Sequence, residues 1–124
     1  MKKQRPVNID LSTIKMHPAA KASILHRISG MMMVFAIGIL LWTLSISLSS
    51  AEGFSQIQGY LDGFFFKFII FGCLSALSYH IFAGVRHLLM DLGHFEELAS
   101  GNTSAKLVIT LWLVVSVVIG VWLW

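Results

Sequence analysis

The sequence predicts an all-α membrane protein, a bundle of three transmembrane helices, and three observations lead there. Of its 124 residues, 56% are hydrophobic and only 12% charged, too apolar a balance for a water-soluble domain of this size. Three charge-free runs, Ile28 to Ala51, Phe68 to Val85 and Leu107 to Trp124, are each long enough as helix to cross the hydrocarbon core. None alternates apolar with polar residues as a barrel strand would, and in lipid each backbone polar group must be paired, so the runs are helices.

The first 21 residues form the basic lead-in. Lys2, Lys3, Arg5, Lys15 and Lys21 stand against a single acid, Asp10, which predicts a cytoplasmic N-terminus. Six of the nine basic residues precede Met31, so the net charge of +3 is a topology signal and not a nucleic-acid footprint. Ser49-Ser50-Ala51 looks like a signal-peptide cleavage site. The basic region and apolar run before it are too long for a secretory signal, and an uncleaved first helix is expected. Arg5-Pro6 and His17-Pro18 interrupt any earlier helix, and Pro18 suits the first turn of the membrane helix or of a short lead-in.

Helix one is expected over about 22–48. Near its start Ser23, His26, Arg27 and Gly30 recur at steps of three and four and share a face. Ser23 and Arg27 set a hydroxyl beside a guanidinium at the membrane rim. Two readings compete: the pair faces a bound polar group such as a quinone, whose carbonyls accept hydrogen bonds, or Arg27 snorkels to lipid phosphate. Met31, Met32 and Met33 point to different sides and should pack rather than bind metal, while Gly38 and Thr43 are the expected contacts with a neighbouring helix. A periplasmic loop to about Gly63 follows, holding Glu52 and Asp62 and no basic residue.

Helix two, about 64–91, carries the residue that most needs a reason, His80, amid a charge-free segment. The ring either hydrogen-bonds a neighbouring helix or ligates a haem iron, since neutral imidazole is a standard axial ligand. Gly72, Ala76, His80 and Gly84 lie on one face, a stripe of small residues that leaves room for a flat partner or for close helix packing. His87 follows on nearly the same face with Arg86 beside it, both placed to meet haem propionates or simply to mark a cytoplasmic helix end. The one cysteine, Cys73, excludes an internal disulfide and the attachment of a c-type haem, and it reads as a small packing residue. A link with a Gly101-Asn102 turn leads to helix three, about 104–124, which looks like scaffold with Trp122 and Trp124 at the outer interface.

The motifs then meet a family. Arg5-Pro6 upstream of Ser23-x-x-His26-Arg27-x-Ser29, followed by His80-x-x-x-Gly84-Val85-Arg86-His87-x-x-Met90-Asp91, resembles the cytochrome b556 membrane-anchor subunits of bacterial succinate dehydrogenase. The resemblance covers practically the whole chain. It implies a single anchor domain, 1–124, in the bacterial inner membrane, with a periplasmic C-terminus and pairing with a second small anchor subunit beneath a flavoprotein and an iron-sulfur protein. It implies haem b shared with that second anchor, His80 being one axial ligand, and electron transfer from succinate through iron-sulfur centres to ubiquinone. Ser23 and Arg27 match quinone-site positions, and His26, Arg27 and His87 match the propionate region. No succinate chemistry is expected in this chain. The anchor of a quinol:fumarate reductase is the related alternative, and a proton-relay subunit or a haem-less packing anchor are the competing classes. The relay reading expects intramembrane acids, and none of the three runs contains Asp or Glu.

Overall fold

Pro18 opens the first helix, where its missing N–H and fixed φ cost nothing. The structure is a computed structural model that describes residues 15–124; the expectations for Lys2, Lys3, Arg5, Pro6 and Asp10 lie outside the described residues. Four helices follow in order, α1 Pro18–Ser49, α2 Ala51–Asp62, α3 Phe64–Asp91 and α4 Leu98–Leu123. Among the described residues α1, α3 and α4 are the three long and apolar enough to cross a membrane. Most large apolar side chains, Val34, Phe35, Leu48, Val117 and Val121 among them, point outward. Such a surface is stable only in lipid or against other apolar protein.

Helix α3 packs against both α1 and α4, and small residues set the spacing. Ala83 and Ala105 are almost wholly buried between α3 and α4, letting the backbones approach closely. Polar pins then fix the register. The Ser75 and Ser116 hydroxyls lie 2.7 Å apart, and the Trp112 indole N–H donates to the Ser75 carbonyl at 3.0 Å. Inside a membrane each such bond is worth about 0.6 kcal/mol on average. On the other side Met33 and Ala36 of α1 enclose Cys73, the packing role expected of the cysteine. Met31 and Met32 face outward while Met33 is buried, so the three methionines diverge as helical geometry requires.

Several expectations are corrected. The stretch after Ser49 is not a loop but α2. Ser50 is extended, ends α1, and caps α2 by accepting the Gly53 N–H at 2.9 Å, with Glu52 in the first turn. Ile57 turns inward and Phe54 outward, the two-faced character of a helix lying along an interface. Gly38 makes no close contact with a neighbouring helix, while Thr43 is half-buried. A Cβ on Gly38 would meet open space, and the Thr43 hydroxyl bonds back to the Ile39 carbonyl.

The last helix begins at Leu98 rather than near 104, and Gly101-Asn102 lies inside it. The turn comes earlier. Gly93, at φ 85, closes α3 with the His94 N–H on the Leu89 carbonyl and the Gly93 N–H on the Met90 carbonyl, a Schellman stop. The glycine at 101 instead admits the Phe95 carbonyl, 3.1 Å from where its Cβ would stand. Asn102 is taken up in tertiary structure, its side-chain oxygen accepting the Ala19 N–H in the first turn of α1 at 3.2 Å.

Candidate functional site

Antiparallel packing of α1 on α3 brings the Ser23–Gly30 face of one against the His80–His87 face of the other. His26 of α1 meets two histidines of α3, His80 and His87, there. His26 stacks on His80 with ring centroids 4.4 Å apart and planes 21° from parallel, and His87 tilts against His26 at 4.9 Å. The three rings line an open groove of about 460 Å³ with Ile81, Gly84, Val85 and Leu88. Small residues keep it clear. A Cβ on Gly84 would touch His26 Nε2 at 3.6 Å, and one on Gly30 would press on His80 Cε1 at 3.3 Å.

The His80 ring is fixed by its neighbours. Its Nδ1 lies 3.0 Å from the Ser29 hydroxyl, which in turn donates to the His26 carbonyl at 2.7 Å. Adjacent to it, Tyr79 faces away from the groove and donates from its buried hydroxyl to the Ala22 carbonyl at 2.8 Å. Successive residues of α3 therefore bolt α1 from both sides, which sets the depth of His80 relative to His26.

Ser23 and Arg27 stand one turn apart on α1, the serine half-buried and the arginine exposed. At that spacing they share one face of the helix. Arg86 is corrected. It does not line the groove with His87 but is buried on the side of α3 that faces α4, where Nε donates to the Ser104 hydroxyl at 2.9 Å and a terminal nitrogen to the Gly101 carbonyl at 3.1 Å. Neighbours in sequence point about 100° apart on a helix, and α4 offers the acceptors that a buried guanidinium requires. Ser29 and Tyr79 are the two residues of the region whose contacts the sequence did not reveal. Ser29 sits inside the Ser23-x-x-His26-Arg27-x-Ser29 motif, and its i−3 spacing from His26 was the available signal.

An all-helical bundle with three apolar spans and a histidine-lined groove between two of them defines the class, a multi-pass membrane protein. Residues 1–119 match the family described as succinate dehydrogenase/fumarate reductase transmembrane subunit. The sequence is 38% identical, over 100% of both chains, to the succinate dehydrogenase cytochrome b556 subunit of Coxiella burnetii. It is 30% identical to that of Paracoccus denitrificans, over 85% of this chain and 81% of that one. It is also 38% identical to the cytochrome b560 subunit of Marchantia polymorpha, over 84% of this chain and 80% of the other. The chain belongs to the succinate dehydrogenase/fumarate reductase transmembrane subunit family.

Proposed function

We propose that this chain is a membrane-anchor subunit of succinate dehydrogenase that binds haem b jointly with a second anchor and helps form the site of ubiquinone reduction. The observation that carries the reading is the His80 ring, seated at the groove with Nδ1 engaged by Ser29. That leaves Nε2 as its ligand atom. The residues present fit a haem. An apolar groove kept open by Gly84, a single held imidazole and further donors toward the Asp91 end of α3 are what a porphyrin with two propionates requires.

The fit also supports a shared group. His26 and His80 lie face to face, so their in-plane lone pairs run side by side and cannot meet one iron from opposite sides. A second ligand would then come from another chain. When bound, haem b supplies a one-electron store whose potential is set by ligand, burial and hydrogen bonds. His80 would hold the iron, His26 and His87 would donate to propionate oxygens, and Arg27 would add positive charge at that rim.

Ser23 donates a hydrogen bond to a quinone carbonyl, orienting the ring. Arg27 offsets the negative charge that grows on that oxygen as electrons arrive from the iron-sulfur partner. Protons reach the site from water at the Pro18 end of α1, which the basic lead-in assigns to the cytoplasmic side of the bacterial inner membrane, with Trp124 toward the periplasm. Succinate oxidation belongs to the flavoprotein.

The test is a dithionite-reduced minus oxidised absorption spectrum of the purified complex, wild type beside His80→Leu. A low-spin b-type band present in wild type and absent in the variant supports the assignment. Survival of the band would remove His80 as ligand.

A further inference from the structure

We propose that Ser29 is a positioning residue for the His80 ligand, fixing both its tautomer and its electron-donating strength; the inference rests on the haem reading above. A serine hydroxyl has one proton to give. At Ser29 that proton goes to the His26 carbonyl, 2.7 Å away, one turn back on the same helix. The contact with His80 Nδ1 at 3.0 Å can then be made only one way, with Nδ1–H donating to a Ser29 lone pair. In the neutral ring that a metal ligand requires, this places the proton on Nδ1 and the free lone pair on Nε2.

Ser104 shows the same device with no ambiguity. Its hydroxyl donates to the Gly101 carbonyl at 2.9 Å and accepts from Arg86 Nε, a group that can only donate. The carbonyl-committed serine is thus used twice in this bundle as an acceptor for a nitrogen of α3. Other serines, Ser49 and Ser78, make only the backbone bond to the residue three before them.

Two consequences follow for the ligand. The ring cannot turn over to present Nδ1 without losing its acceptor, and a side chain at position 30 would press on Cε1 at 3.3 Å, so the glycine leaves the ring its place. A hydrogen bond accepted from Nδ1–H makes the imidazole a stronger donor through Nε2 and favours the ferric iron. Losing the acceptor therefore moves the midpoint potential upward.

The experiment uses the whole complex in detergent, with potentiometric titration of the b-type band and EPR of the ferric low-spin signal. Ser29→Ala is expected to raise the midpoint potential by about 59 mV, the one-electron equivalent of a tenfold change, and to shift the EPR signal. Ser29→Cys, similar in size with a weak sulfur acceptor, shifts the same way, and reads the effect if the alanine variant assembles poorly. Ser29→Thr keeps the hydroxyl and restores the wild-type potential. A wild-type potential and EPR signal in both Ser29→Ala and Ser29→Cys overturns the proposal, as does a threonine variant that behaves like alanine. In that case loss of the band in His80→Leu still upholds the haem reading. If wild type itself carries no b-type band, both fall together.

Discussion

Arg86 is the residue where sequence position misleads most and structure corrects most. Arg86 is 4% exposed, and its two bonds join α3 to the first turns of α4. Lysine could not span both acceptors, because an ammonium is a point donor and not a fork. Arg86→Lys should therefore lower stability by about 1–3 kcal/mol, read as the midpoint of unfolding of the purified complex in denaturing detergent. The b-type band should keep its potential, since lysine keeps the positive charge and Arg86 does not line the groove. A shifted potential with unchanged stability would mean that Arg86 does serve the haem. Arg27 makes the opposite prediction. Arg27→Leu should lower succinate:ubiquinone reductase activity about 100-fold, in the range for a lost charge-stabilising donor, with the complex assembled. Ser23→Ala should follow in the same direction. Normal ubiquinone reduction in both would return Arg27 to the role of a lipid-phosphate anchor.

At the scale of elements, α2 is the piece most open to perturbation. Its start depends on one side chain, Ser50, and on the absence of another at Gly53, whose Cβ would collide with the Ile46 carbonyl in the last turn of α1. Ser50→Ala should cost about 1 kcal/mol, and Gly53→Ala should cost more because backbone cannot move aside as a side chain can. Hydrogen exchange on the assembled complex is the check. Faster exchange over Gly53–Asp62 with α3 unchanged is expected, whereas protection equal to wild type in Gly53→Ala would show that the α1–α2 corner yields at little cost. The α3–α4 pair is pinned by Ser75, Ser116, Trp112 and Tyr79, the last two edge-on with centroids 5.3 Å apart. Helix α4, which looked like scaffold in sequence, thus holds the register of the ligand-bearing helix.

For the whole molecule the surface is the dominant fact. Large apolar side chains cover the outside of α1 and α4, and on α3 the groove rim at Ile81, Val85 and Leu88 is half or more exposed. Lipid satisfies most of that surface. The rim borders a site with one held imidazole, which a second chain must complete on the haem reading. The chain produced without its partner anchor should then lack the low-spin two-histidine signature even when haem is supplied, and should gain it, with higher thermal stability, on co-production. An identical low-spin spectrum from the isolated chain would show that both ligands are its own.

Hydrophobic length and charge placement are local quantities, so the three membrane spans and the spacing of Ser23, His26, Arg27, His80 and His87 on shared faces could be determined from the chain alone. Helical period carries that information without any contact being known. What only the tertiary structure decided depends on residues distant in sequence. Asn102 reads as a turn former until Ala19 needs an acceptor. Arg86 reads as a propionate donor until α4 offers Ser104 and Gly101. The stretch after Ser49 reads as a loop because its composition is mixed, yet one cap and one inward face make it α2. Ser29 has no distinctive composition at all. Its place beside His80 arises because two antiparallel helices, bolted at Tyr79 and Ala22, bring a hydroxyl already committed to its own backbone within 3.0 Å of an imidazole 51 residues away. The periodicity of one helix cannot encode the register of two, which packing and buried hydrogen bonds set.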